Sequence, residues 1–339
     1  MTDQIDNLEP ADRTHGLRGV IRHAPKDEAV AAAYPPADPD LPDTYDATHG
    51  EKVYGMQGND KWPNCFWAAV AHATTVQALT GLDDKGHPTF VEGAVIPHPD
   101  EAVEWYKVYC EANGQPPTPL SDGTSPYAGA KSILAQGLAE YVGVLGPEDR
   151  DAEGNSVFDA SIIEQAIYDT QGGVIICLAL DPDAEKEFDD HVPWGTQSSS
   201  PDAEDGHAVT GVAYDPTNKE CITWAQLQLM TNEFDINCID GLVLVLTKHF
   251  QGDDAAVAAK WGLTSAATLA ASAPDQAPPV TTPTNDTPVA PKGPEDLLAR
   301  ARGIEADLRH LVEMAVKRLP EEDIIKAMEQ MIEFYVKIP

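Results

Sequence analysis

Apolar positions along this chain are spaced as in a globular domain only between residues 45 and about 252. Residues 64–80 read as a buried helix, with Ala68, Ala69, Ala71 and Leu79 permitting close packing. Residues 101–113, 128–137 and 162–170 carry helical spacing, and 138–145 is strand-like. Residues 174–180 form a continuous apolar run rich in β-branched side chains, the pattern of a buried strand. Further strands are expected over 207–214, 220–225 and 242–247. Helices come first and strands later. That order predicts an α+β fold with two segregated lobes, one helical and one of antiparallel β structure, rather than alternating βαβ units.

The flanks differ. Residues 1–44 are rich in Pro, Asp and Ala without sustained periodicity, which predicts an extended N-terminal arm on the domain surface. Residues 253–272 form an Ala-rich helix-like piece, and 273–293, Pro- and Thr-rich with almost no large apolar side chain, read as a linker. Past it, Pro294, Glu295 and Asp296 suit a helix N-terminus. Leu297, Ala301, Ile304, Leu308, Leu311 and Ala315 follow at alternating spacings of four and three, until Pro320 breaks the run. Ile324, Met328, Met331, Tyr335 and Ile338 repeat the pattern. Residues 294–339 are therefore expected to be a helical hairpin that packs on its own chain, oligomerises, or docks on a partner such as a viral structural protein.

Charge narrows the partners. With 56 acidic against 22 basic side chains the formal net charge is −34, a field that repels phosphate backbones and speaks against nucleic acid. No window approaches the roughly 18 consecutive apolar residues of a membrane span, and residues 1–22 lack the apolar centre of a secretion signal. The five cysteines (Cys65, Cys110, Cys177, Cys221 and Cys238) are odd in number and scattered, without a CxxC pair. That spacing suits neither a disulfide framework nor a zinc site and predicts reduced thiols in a cytoplasmic or virion-associated protein. Asp189, Asp190 and His191 are metal-compatible in type, but the adjoining Pro193-Trp194-Gly195 and Ser198-Ser199-Ser200 mark a loop near a cleft, so no metal or other cofactor is expected.

Two segments carry chemistry. In Trp62-Pro63-Asn64-Cys65-Phe66-Trp67-Ala68-Ala69 a cysteine stands where a loop enters a helix. There, unpaired backbone N–H groups favour a thiolate, the nucleophilic form. In Asp205-Gly206-His207-Ala208-Val209 a histidine leads a strand of small and β-branched residues, so its ring is expected at a strand end facing a cleft. A buried cysteine as apolar filler and a structural histidine are the plain alternatives.

Together, the Cys–aromatic–Ala helix and the Gly-His-Ala-Val strand ending Ala213-Tyr214-Asp215 resemble the papain-like cysteine peptidase superfamily. His207 follows Cys65 by 142 residues, within the roughly 130–150 usual for that family. The stretches 41–43, 58–60, 121–124, 205–209 and 222–224 are similar to uncharacterised papain-like proteins of actinobacterial phages and their hosts. The resemblance covers about residues 41–250. It implies Cys65 as nucleophile, His207 as its base, and an amide donor to the oxyanion. The family's Gln lies six residues before the Cys; here that position is Asn59, and Gln57 lies eight before.

The family's imidazole-orienting Asn or Asp is matched by Thr223, a weaker acceptor, with Trp224 shielding the pair. Trp224, Trp194 and Gly206 are expected to line the substrate cleft. Pro63-Asn64 replaces the family's Gly-Ser and narrows that cleft, and the family's disulfide partner beside the nucleophile is missing. Two functions follow: a cysteine peptidase or amidase acting on a peptide or protein through an acyl-enzyme, and a papain-like shell serving as an accessory protein of a phage particle, anchored by residues 294–339.

Overall fold

A computed structural model describes residues 19–21, 26–119, 121–146, 149–150, 156–181, 183–195, 206–234 and 239–272. The expected linker and C-terminal helical module lie outside these residues. The described residues between 19 and 109 and between 122 and 272 form one compact unit, and the site described below lies within it. Residues 110–121 group separately.

The described elements run β1 (Tyr45–Asp46), α1 (Cys65–Ala78), β2 (Leu79–Leu82), β3 (Pro88–Phe90), α2 (Pro99–Ala112) and α3 (Pro126–Ala135). They continue with β4 (Tyr141–Leu145), β5 (Asp149–Arg150), β6 (Ser156–Val157), α4 (Ala160–Thr170), β7 (Val174–Ala179) and α5 (Asp183–Asp189). Last come β8 (Gly206–Tyr214), β9 (Asn218–Thr223), β10 (Gln226–Thr231), β11 (Ile239–Leu246), α6 (Asp254–Trp261), β12 (Thr264–Ser265) and α7 (Ala266–Ser272). Helices and an antiparallel sheet therefore share the chain, in the order β10-β9-β8-β7-β11-β4-β12 with β1 on β8.

The central strands β7 and β8 are buried along their whole length, which explains the unbroken apolar run of β7 and the small and β-branched residues of β8. Helix α1 packs against β8. All its residues but Thr75 are buried, so it lacks the one-sided stripe of a surface helix. Its small residues allow the close approach, and Thr210 of β8 donates to the Ala69 carbonyl at 2.9 Å. Gln77 near its C-terminus donates to the carbonyls of Thr170 and Val245 and accepts from the N–H and hydroxyl of Thr247. Both donors and both lone pairs of this buried amide are thereby used, the condition for a polar group in a core.

Several expectations shift. The Ala-rich piece over 253–272 is two helices rather than one, because Gly262 takes φ +64 and ends α6 before the short β12. Strand β10 and helix α5 were not expected. The expected arm carries core residues: Val30 is fully buried, and Ala32 N–H donates to Val144 O at 2.8 Å. A run of isolated apolar residues among prolines has no period to reveal such docking. Among the described residues, no helix is long and apolar enough to cross a membrane.

Candidate active site

Cys65 is the first residue of α1, behind the N-cap Asn64. Asn64 makes no side-chain cap to the helix, and the first turn holds no acidic residue. The orphan N–H groups and the positive end of the helix are thus left for the thiol. Backbone N–H groups of Ala208, Gly19, Phe66 and Cys65 itself lie near the sulfur and favour its anion. Burial outweighs them. With the residue 1% exposed, desolvation pushes the Cys65 thiol from its ordinary value up to about 11.

His207 is the second residue of β8 and 1% exposed. Its Nε2 lies 2.9 Å from the Thr223 hydroxyl at the end of β9. Ala208, whose N–H meets the Cys65 sulfur, is the next residue along β8. The strand thus carries the imidazole and a donor to the thiol on consecutive residues. Trp224 lies against the imidazole with ring centres 5.2 Å apart, and Trp194 meets Trp224 edge-on at 5.8 Å. Phe188 closes the same cluster at 5.0 Å from Trp224. Trp194 is fully buried and its indole donates to Ala184 O, so it supports Trp224 from behind instead of presenting a free face to a cleft.

The two amide candidates have separate surroundings. Asn59 is buried, and its Nδ2 donates to Trp62 O at 3.0 Å across the turn before α1. Gln57 adopts φ +54 and its carbonyl accepts from Asn64 Nδ2. Its side-chain oxygen is buried without a hydrogen-bond partner among the described residues. Gln57 also lines a cavity of about 310 Å³ with Tyr54, His72, Phe90 and Ile96, and neither Cys65 nor His207 borders that cavity. Asp190, of the metal-compatible trio, forms an ion pair with Lys186. Among the described residues no cluster of three His, Cys, Asp or Glu side chains could hold a metal.

Sequence reasoning missed residues 19–21. Val20 N–H donates to Gly206 O at 3.1 Å, Ile21 N–H to Thr124 O at 3.0 Å, and Thr124 N–H to Gly19 O at 2.8 Å. This strap runs beside the sulfur, near enough for the Gly19 N–H to favour its anion. The site is therefore closed by its own chain. Only Gly16 and Gly19 in an otherwise polar stretch hinted at a close approach.

No protein-family model matches the sequence, and no curated protein matches it. Among the solved structures similar in shape are two from cysteine-protease and mite-allergen work. One is xylellain, a cysteine protease from Xylella fastidiosa, at 16% identity and a TM-score of 0.44 over 70% of this chain and 98% of that one. The other comes from work on the mite allergens Blo t 1 and Der p 1, at 13% identity and a TM-score of 0.40 over 67% and 79%. The functional reading rests on the side chains themselves.

Proposed function

We propose that the chain is a papain-like cysteine hydrolase acting on peptides or proteins, with Cys65 as nucleophile and His207 as base. The observation that carries it is the Ala208 N–H at the Cys65 sulfur, one residue from an imidazole whose Nε2 is bonded to Thr223. When Nε2–H donates to Thr223, Nδ1 is left basic, as a nucleophile's base must be. Cys65 adds to a substrate carbonyl carbon while its proton passes to His207. The oxyanion takes the Cys65 backbone N–H and a side-chain amide, which we assign to Asn59 because it stands six residues before Cys65 on the turn that leads into α1. The imidazolium then protonates the departing amine. Water, deprotonated by His207, attacks the thioester, releases the acid and restores the thiol.

Thr223 replaces a stronger acceptor, so the imidazolium is less well stabilised and turnover is slow. The strap must leave before any substrate enters. A peptidyl electrophile incubated with the full-length protein, its adducts located by mass spectrometry, tests the reading. Cys65 is expected to carry the adduct ahead of the other four thiols, and His207→Ala to cut its rate at least a hundredfold. Adducts spread evenly over all five cysteines would remove the nucleophile.

Thr223 and the closed thiol also favour a second reading, a particle-accessory shell held through residues 294–339. Truncation before residue 273 is then expected to abolish self-association, with no adduct at Cys65 in either form.

A further inference from the structure

The strap shows what this cleft holds. Residues 19 and 20 are buried, and the segment hydrogen-bonds to both walls, the Gly206 carbonyl on one side and Thr124 on the other. Those bonds use backbone groups alone, so they admit any extended peptide whatever its side chains. Discrimination arises from the width of the passage.

On one side stands Pro63. A Cβ placed on Gly19 would lie 2.8 Å from Pro63 Cβ and closer still to its carbonyl oxygen. On the other side stands Gly123, at φ +88, where an added Cβ would lie 2.6 Å from Gly19 Cα and closer to its carbonyl group. Backbone and a proline ring form these walls, and neither yields as the end of a flexible side chain does. Gly19 itself is outside the left-handed region, so its own backbone conformation suits any residue. The demand for glycine is imposed by the walls, not by a turn. Pro63 stands where the resemblance led us to expect a narrowed cleft.

From this we infer that the cleft selects glycyl peptides: the residue lying between Pro63 and Gly123, beside the Cys65 sulfur, must be glycine. The inference rests on the hydrolase reading and names its substrate class. The strap offers the sulfur an amide N–H instead of a carbonyl carbon, so it occupies the passage without being positioned for attack. A substrate must turn a carbonyl carbon to the sulfur. Whichever way it runs, a passage one backbone thick leaves no space for a Cβ.

The test uses full-length protein. Gly19→Ala is expected to expel the strap and raise iodoacetamide alkylation of Cys65 at least tenfold while Cys177 stays protected, which separates opening from unfolding. Gly123→Ala fills the passage from the opposite wall and is expected to do the same. No selective rise in either variant overturns the proposal. Fluorescent peptides with the sequence of residues 14–22, carrying Gly or Ala at position 19, are then titrated against the Gly19→Ala, Cys65→Ser double variant. The glycine peptide is expected to bind at least tenfold more tightly, and equal binding overturns glycine selection. Glycine-selective binding with no electrophile adduct at Cys65 would sink the hydrolase and keep the glycine cleft. An adduct at Cys65 without glycine preference would do the reverse.

Discussion

Cys65 and Cys177 are both free thiols, each 1% exposed, in the same compact unit. Cys177 sits in the middle of β7, paired across the ladder with Ala208, and its ionisation is opposed by burial and by the neighbouring Asp240 and Cys65. No donor offsets that cost, and the thiol is pushed far above its ordinary range. Cys65 has the same burial with four backbone N–H groups around its sulfur. Equal burial therefore gives two kinds of cysteine. One fills space; the other would become a stabilised thiolate once the strap readmits water. Where the donors come from explains the difference: the start of α1 leaves the N–H groups of Cys65 and Phe66 unspent, and Ala208 of β8 and Gly19 of the strap add theirs, whereas Cys177 lies mid-ladder.

The largest expected effect exploits pH. In the closed chain Cys65 ionises at about 11 instead of 9.0, so at pH 8 its thiolate fraction is about a hundredfold below that of the unfolded chain. Alkylation at pH 8 is expected to be slower by about that factor in buffer than in urea, and slower still at Cys177. The sign for stability follows. Because the folded value is raised, the contribution is complete below about 9 and is lost as pH climbs towards 11, when the unfolded chain sheds its proton first. The loss is on the order of 2–3 kcal/mol. About half of it, roughly 1.3 kcal/mol, is lost between pH 8 and pH 10; urea midpoints of the wild type and Cys65→Ala at those two pH values measure that part, and an equal fall in both would break the distinction drawn for Cys65.

The next effect concerns the imidazole. Thr223→Val keeps the shape and removes the hydroxyl that meets His207 Nε2 at 2.9 Å. A buried bond of this kind is worth about 1–1.5 kcal/mol, so electrophile labelling of Cys65 is expected to slow about tenfold while Cys177 is unaffected. A Thr223→Val protein labelled at the wild-type rate would mean that Thr223 does not orient the ring.

Much of this arrangement could be read from the residues because it is local. The Ala-rich stretch after Cys65 predicted α1, and the β-branched runs predicted β7, β8 and β11, since both signals reside in neighbouring positions. What escaped was long-range or conformationally unusual. The strap lies 46 residues before Cys65 and docks by backbone bonds, which leave no side-chain signature. Strand β10 escaped because it follows a two-residue turn made of Trp224 and Ala225, neither of which signals a turn. Trp224 and Trp194 were both expected at the cleft, yet it is Trp224 that lies against the imidazole, with Trp194 packed on Trp224. A sequence shows aromatic residues near each other but not which of them faces the imidazole.

That turn supports the smallest prediction. Trp224 and Ala225 both hold positive φ, +45 and +67, between paired Thr223 and Gln226. This is the arrangement in which Asn-Gly is favoured, and an L side chain there costs roughly 1–2 kcal/mol. Trp224 recovers its share by packing on His207, Trp194 and Phe188. Ala225 has no such ring, although its carbonyl accepts from Tyr54 N–H at 3.3 Å, a bond that any residue would keep. Ala225→Gly relieves the strain but adds freedom to the unfolded chain, about 0.4–1 kcal/mol in the opposite sense. The net expectation is a gain of about 0.5 kcal/mol in urea unfolding with Cys65 labelling unchanged. If labelling instead slows as it does in Thr223→Val, the strained turn is what aims Thr223 at the imidazole. The advantage of Cys65 over Cys177 would then depend on a hairpin two strands from β7 as well as on its own helix.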